Sequence, residues 1–183
     1  MSKFTDRLYA RTKEAHKCID TSEFVNVIKT KRLAQEMYMM FNIICIERIQ
    51  SGKILFMDDD IYYGFERDLS KYTDKNWDVD YFLPKSDKLD ELLVAISQHP
   101  LEHSYLFYLG LAMGGNILKK YIPKTYHDLL IFDNANENIS KFKNFLDNYT
   151  APENEDKFIE RVNSSYKLIG EIFDLFNSKL HSN

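Results

Sequence analysis

The sequence predicts an all-α fold, and two observations carry the prediction. Apolar residues recur at intervals of three and four along most of the chain, as they do on the buried face of a helix. Almost no stretch alternates between apolar and polar residues, which is the pattern of a half-buried β-strand. We expect residues 1–183 to form a single domain of about eight helices with a substantial core.

Composition and charge narrow the class of protein. Hydrophobic residues make up 44% of the chain and charged residues 28%, as in a soluble globular protein. A formal net charge of −4 argues against a nucleic-acid partner, and no apolar run reaches the roughly 18 residues of a membrane span. Cys18 and Cys45 lack metal-type spacing and the N-terminus lacks a secretory pattern, so we expect a reducing, cytoplasmic location.

The central helix is predicted at residues 100–123, an apolar stretch bounded by two prolines. Pro100 suits a first helical turn, because proline lacks a donor that this position does not use. Lys119 and Lys120 suit a last turn, where the helix dipole is negative. Six of its residues fall near helical spacing: Leu101, Tyr105, Tyr108, Leu109, Ala112 and Ile117.

Three glycines lie inside this predicted helix, at Gly110, Gly114 and Gly115. Each costs about 1 kcal/mol relative to alanine in a helix interior, so their presence calls for a reason. Gly110 and Gly114 share one face of the helix. Two interpretations stand at this point: tight helix–helix packing, or a bare backbone face that lies against a planar ligand.

The first helix is predicted at residues 2–20, with Ser2 or Thr5 as its cap. Its apolar stripe consists of Phe4, Leu8, Ala15 and Ile19. His16 borders this stripe, where it is either a half-buried polar residue or a metal ligand. Asp20 lies one turn further on the same face and is placed to orient a ligating imidazole.

The remaining elements follow from the same periodicity. Ser22 is expected to cap a short segment that ends at Ile28, and the chain continues as a core helix to Ile49. Three methionines of that helix are assigned to the core rather than to a soft metal site: Met37, Met39 and Met40.

Further helices are predicted at residues 65–72, 87–99, 140–149 and 153–180. An aromatic loop is predicted at 75–84, a solvated carboxylate run at 57–60, and helix or loop at 126–133. The inner face of the last helix is expected to comprise Phe158, Val162, Tyr166, Ile169, Ile172, Phe173 and Phe176.

Two motifs in the chain resemble those of the haem oxygenases. The segment Thr12-Lys13-Glu14-Ala15-His16 is similar to the family's T-[KR]-E-x-H, which supplies the proximal haem ligand on the first helix. The segment at 108–120, YLGLAMGGNILKK, is similar to the family's distal helix, Y-L-G-D-L-S-G-G-Q-x-[LI]-x-[KR]. The two motifs occur in the family's order, about ninety residues apart.

The resemblance implies a haem oxygenase-like domain with haem sandwiched between the first helix and the central glycine-bearing helix. It makes His16 the axial ligand of the haem iron. It also implies distal-face or catalytic roles for Gly110, Gly114, Gly115 and Asn116, and further haem contacts for Lys13, Tyr105 and Lys143. His103 matches a histidine of the family's central helix that is not the axial ligand.

The chain departs from the family's pattern at several positions. Leu111 stands where the family has an aspartate that orders the water delivering a proton to bound oxygen, and leucine neither accepts nor relays a proton. Asp147 stands where an arginine is expected, and a carboxylate facing a haem propionate repels it. Tyr9 occupies a frequent lysine position, with Arg11 nearby as a substitute cation.

Three functional hypotheses follow. The first is a haem oxygenase that cleaves haem with O2 to biliverdin, CO and Fe2+, using electrons from a reductase or ferredoxin. The second is a haem carrier, store or sensor that no longer degrades haem because Leu111 replaces the distal aspartate. The third is a helical interaction protein without haem, in which the glycines serve packing.

Overall fold

The computed structural model describes residues 2–52, 82–130, 132 and 135–182, and all regular structure within them is helical. The elements are α1 (Phe4–Asp20), α2 (Glu23–Ile28), α3 (Arg32–Ser51), α4 (Asp87–Gln98), α5 (Pro100–Ser104), a π-helical turn (Tyr105–Leu109), α6 (Gly110–Leu118), a 3-10 helix (Lys124–Leu130), α7 (Ala135–Tyr149) and α8 (Pro152–Ser182). The prediction of an all-α fold is confirmed. The expectations for residues 57–60 and 65–72, and most of the loop at 75–84, lie outside the described residues.

Helix α8 is the element on which the others assemble. It is 31 residues long, and α1, α2, α3, α4 and α5 all pack against it. Its apolar residues recur at helical spacing, so one continuous stripe faces the core. The buried members of this stripe are Phe158, Ile159, Val162, Ile169, Ile172, Phe173, Phe176 and Leu180. The predicted inner face is therefore confirmed, with Tyr166 only partly buried.

An aromatic cluster joins α2, α3 and α8 in the core. The ring of Phe24 lies 4.9 Å from that of Phe173 and 5.2 Å from that of Phe176. The ring of Phe41 lies 5.7 Å and 5.8 Å from the same two rings, edge to face. The three methionines of α3 are fully buried beside this cluster, as predicted: Met37, Met39 and Met40.

The caps of the first two helices differ in origin. Ser22 caps α2 as predicted, because its side chain accepts a hydrogen bond from the Val25 backbone N–H. Neither Ser2 nor Thr5 caps α1 through its side chain. Instead, Oδ1 of Asp147, which lies on α7, accepts a hydrogen bond of 2.8 Å from the Thr5 N–H. The predicted helix from Ser22 to Ile49 is also interrupted between α2 and α3.

The central stretch is not one regular helix. The chain widens into a π-helical turn after α5 and returns to α-helical winding at Gly110. Helix α6 ends at Leu118, whose carbonyl accepts hydrogen bonds of 2.9 Å from both the Tyr121 and Ile122 N–H groups. Lys119 and Lys120 therefore lie in the turn after the helix rather than in its last turn.

None of the helices in the described part of the chain has an apolar run long enough to cross a bilayer. Both cysteines are free thiols: Cys18 is exposed and Cys45 is buried. Burial raises the pKa of the Cys45 thiol, which keeps it protonated and unreactive.

We expect Phe41→Ala to lower the free energy of unfolding by about 3–5 kcal/mol, because it removes a fully buried ring and leaves a cavity. Urea unfolding followed by circular dichroism measures the change. Val94→Ala is the control, because Val94 is 55% exposed and its truncation should cost no more than about 0.5 kcal/mol. A loss at Phe41 as small as that at Val94 would contradict the packing described here.

Candidate functional site

His16 lies in the C-terminal half of α1, where Asp20 holds one of its ring nitrogens. Its Nδ1 is 3.1 Å from Oδ2 of Asp20, and its side chain is half exposed. A carboxylate accepts hydrogen bonds, so neutral His16 carries its proton on Nδ1 and presents the lone pair of Nε2. The structure describes no partner for Nε2 within residues 2–52, 82–130, 132 and 135–182. The predicted orienting role of Asp20 has the geometry it needs.

Two tyrosines connect His16 to the central stretch and to α8. The Tyr166 ring meets the His16 ring edge to face at 5.4 Å. Tyr105, in the π-helical turn, lies beside the Thr12 side chain, whose Oγ1 donates to the Leu8 carbonyl. The central stretch thus meets α1 one turn before His16.

Both tyrosine hydroxyls stay protonated at neutral pH. Burial raises the pKa of Tyr105, and the neighbouring Thr12 side chain only partly opposes this rise. Burial also raises the pKa of Tyr166, with smaller contributions from Tyr105 and Asp20. These groups therefore serve as hydrogen-bonding groups rather than as ionising acids near pH 7.

One face of α6 is open. A Cβ added at Gly110 or at Gly114 would meet nothing within 4 Å. Met113 and Ile117 lie on the same face and are 60% and 63% exposed. Within the described part of the chain, nothing lies against the added Cβ at either glycine. Ile117, which falls at the helical spacing of the apolar residues, is exposed rather than buried.

The π-helical turn Tyr105–Leu109 leads directly into α6 at Gly110. Its wider winding changes which residues share a face, compared with a regular α-helix. Gly115 and Asn116 belong to α6, as predicted.

The leucine at position 111, where the sequence comparison expected an aspartate, has a structural explanation. Leu111 is 2% exposed and belongs to the hydrophobic core. The central stretch carries a carboxylate at Glu102, which is 6% exposed and is paired with Nη1 of Arg161 at 2.7 Å. Glu102 is therefore committed to α8 and does not substitute for a carboxylate at position 111.

His103 is a packed core histidine. It is 1% exposed, with Nδ1 2.7 Å from the His99 carbonyl oxygen and Nε2 2.8 Å from Oγ of Ser165. The carbonyl only accepts, so Nδ1 carries the proton and Nε2 of neutral His103 accepts from the Ser165 hydroxyl. Both nitrogens are occupied, which leaves none for a ligand.

The cations predicted around the site divide into two groups. Arg11, the expected substitute cation, is held by Asp156 at 2.5 Å, and Arg7 is held by Glu155. Lys13 is exposed and Lys143 partly buried, and neither makes an ion pair with any described residue. Both lysines are thus available to an anionic ligand.

The Asp147 carboxylate is directed to the N-terminus of α1. Its Oδ1 accepts from the Thr5 N–H, and its Oδ2 lies 3.9 Å from Nζ of Lys3, with the side chain 11% exposed. The repulsion between Asp147 and a propionate stays a prediction.

The described residues contain no group of three or more His, Cys, Asp or Glu side chains that could hold a bare metal ion. In that part of the chain, the predicted ligand His16 has Asp20 as a partner but does not belong to such a group.

No protein-family model matches the chain, and no curated protein matches it. Solved structures match it over nearly its whole length. Haem oxygenase-1 from the cyanobacterium Synechocystis sp. PCC6803, in complex with haem, aligns with a TM-score of 0.78 at 17% identity over 99% of this chain and 95% of that one. Haem oxygenase 2 from Chlamydomonas reinhardtii, without haem, aligns with a TM-score of 0.69 at 18% identity over 96% of this chain and 98% of that one.

These alignments define the class: an all-α chain with the haem oxygenase fold. The fold predicted from the two sequence motifs is confirmed. At this level of identity the chain is a divergent example of that fold.

We expect Gly114→Ala to raise the free energy of unfolding of the ligand-free protein by about 0.5–1 kcal/mol, because the added methyl group meets open space and alanine favours the helix. Urea unfolding measures this gain. Gly170→Ala in α8 is the matched control, since a Cβ there also meets nothing within 4 Å. A clear loss at Gly114 together with a gain at Gly170 would show that Gly114 serves packing.

We expect His103 to make the protein less stable as the pH falls. Burial lowers the pKa of His103 below its ordinary value, so the unfolded chain binds more protons than the native state below about pH 6.5. Stability is then lost as the pH falls through about 6.5 toward the lowered native pKa. Urea unfolding between about pH 7.5 and 5 should show a steeper loss for the wild type than for His103→Gln, and parallel curves would contradict this.

Proposed function

We propose that this chain binds haem between α1 and α6, with Nε2 of His16 as the axial ligand of the iron. We further propose that it opens the haem ring with O2 to biliverdin, CO and Fe2+, using electrons from an external reductase or ferredoxin. One observation carries the proposal: an imidazole oriented by Asp20 on one helix accompanies an open backbone face on another. Both features occur in a chain with the haem oxygenase fold.

The residues of the site fit the chemistry of haem, a flat apolar disc with an iron centre and two carboxylates. His16 offers a neutral imidazole nitrogen to the iron. The open face of α6 offers bare backbone at Gly110 and Gly114, flanked by exposed Met113 and Ile117. Two further side chains, Lys13 and Lys143, offer cations to the carboxylates.

Each group of this chain has a defined role in the proposal. Asp20 fixes the tautomer and the rotation of the His16 ring. Gly110 and Gly114 let the backbone approach the ligand face closely and restrict access by contact. When bound, haem supplies the iron chemistry and is itself the substrate, while the chain supplies position and exclusion of competing reactions.

A second function is favoured by one specific observation. Leu111 is buried in an apolar environment, so the chain has no carboxylate at this position to order water. A haem-binding protein that carries, stores or senses haem without degrading it needs the same His16, glycine face and lysines. The two functions share the binding site and differ in turnover.

We expect hemin added to the purified protein to give a Soret band that saturates at one equivalent. His16→Ala should weaken hemin binding by tenfold or more, since it removes the axial ligand. His181→Ala is the matched control, because His181 is exposed near the end of α8 and its loss should change nothing. Absence of a Soret band, or equal binding by wild type and His16→Ala, would contradict the proposed site.

Turnover then separates the two functions. Ascorbate is added in air with catalase present, which removes free peroxide. Decay of the Soret band with a rise of biliverdin absorption supports the oxygenase. A persistent band supports haem binding alone, and Leu111→Asp is then the variant that tests whether a carboxylate at this position restores ring opening.

A further inference from the structure

We propose that Asp147 is a positioning residue for the haem site, acting through α1 rather than on the ligand. The inference rests on the proposed function, because the group that it positions is His16. Asp147 joins two elements that carry predicted haem contacts: α1, with Lys13 and His16, and α7, with Lys143. We call the bond between the Asp147 carboxylate and the Thr5 N–H the α1–α7 latch.

The latch supplies a hydrogen-bond acceptor that the residues next to the start of α1 do not supply. The first N–H groups of a helix have no partner within the helix. The N-cap residue, Lys3, makes no side-chain capping bond. Oδ1 of Asp147 accepts from the Thr5 N–H at 2.8 Å across a sequence separation of 142 residues. A carboxylate at a helix N-terminus also interacts favourably with the helix dipole.

The latch is partly buried. The Asp147 side chain is 11% exposed, and the nearby cations are Lys3, at 3.9 Å from Oδ2, and Arg7, whose pKa is raised mainly by its bond to Glu155 and to a smaller extent by Asp147. Loss of the carboxylate would leave the Thr5 N–H without its acceptor, and Thr5 is itself buried. Arg7 also ties α1 to α8 through a bidentate pair with Glu155, whereas the Arg11–Asp156 pair is exposed and contributes less.

Helix α1 is anchored mainly in its N-terminal part. Its buried residues are Phe4, Thr5, Leu8 and Thr12. His16 comes after the last of them, is half exposed, and contacts the Tyr166 ring. About 16 Å of helix separate Thr5 from His16, so a tilt of about 5° at the N-terminus displaces the imidazole by more than about 1 Å. The latch therefore controls where the proposed axial ligand stands.

The same bond couples Lys143 to α1. Lys143 lies four residues before Asp147 on α7, so the two share a face of that helix. Because Asp147 holds this face against the start of α1, the latch also sets the position of Lys143 relative to His16. An arginine at position 147 would provide a cation but no acceptor for the Thr5 N–H.

The test compares four variants with the wild type. Asp147→Ala removes the acceptor, and Asp147→Asn keeps an oxygen acceptor but removes the charge. Glu137→Gln is the control for charge on α7, because Glu137 makes an exposed pair with Lys141. Ile96→Ala, in the core on α4, is the control for general destabilisation.

Three measurements are made on each variant: hydrogen exchange of the Thr5 amide without haem, hemin affinity, and the iron–histidine stretching band of the ferrous complex by resonance Raman. We expect Asp147→Ala to speed Thr5 exchange about tenfold and to weaken hemin binding about tenfold. It should also shift or broaden the iron–histidine band. Asp147→Asn should lie between this variant and the wild type, and neither control should move the band.

The outcomes separate this inference from the proposed function. Equal hemin affinity and an unchanged band in Asp147→Ala and Ile96→Ala would overturn the positioning role while leaving the haem site intact. Hemin binding that is independent of His16 would overturn the haem site and the positioning role with it. Thr5 exchange in the haem-free protein reports the Asp147–Thr5 bond in either case, and a rate unchanged by Asp147→Ala would show that the latch is absent.

Discussion

The continuous apolar face of α8 is the constraint on which the rest of the structure depends. A helix of 31 residues is about 46 Å long, so several shorter helices bury their own apolar faces against it at the same time. The Phe173 and Phe176 rings lie against Phe24 and Phe41, which brings α2 and α3 to one part of this face. Another part receives α1 and α5. The proposed site arises where these parts meet, because Tyr166 of α8 projects beside His16.

The first half of the central stretch is buried, whereas one face of its second half is exposed. Residues 101–109 are almost entirely buried, whereas positions 110, 113 and 117 of α6 are exposed. The change falls where the π-helical turn meets α6 at Gly110, and Leu106, Phe107 and Tyr108 of that turn remain in the core. π-Helical turns are frequent at functional sites for this kind of reason, since they redirect one face without breaking the helix.

The spacing of apolar residues along the chain predicted the structural features that depend on local sequence. The inner face of α8, the core methionines of α3 and the Ser22 cap all follow from residues within one or two turns of each other. The features that it did not predict depend on distant contacts. Asp147 and Thr5 are 142 residues apart, so no local pattern connects them. Ile117 has the side chain of a core residue, and its exposure depends on the absence of a packing partner rather than on its own chemistry. The orientation of His16 was predictable because Asp20 is four residues away on the same helix.

Leu111 and Asp147 depart from the haem oxygenase pattern in a related way, since both residues serve the fold. Leu111 contributes apolar contact to the core, and Asp147 stabilises the start of α1. The polar side chains described near the proposed site are then Tyr105, Thr12 and Tyr166, and the raised pKa values of the two tyrosines keep their protons on at neutral pH. Hydroxyls with raised pKa values are weak proton donors, because efficient acid catalysis needs a pKa close to the operating pH. If the chain opens the ring as proposed, these tyrosines are poor proton donors, so solvent beside the exposed face of α6 would supply the protons, and a carboxylate at position 111 would be needed to order that water.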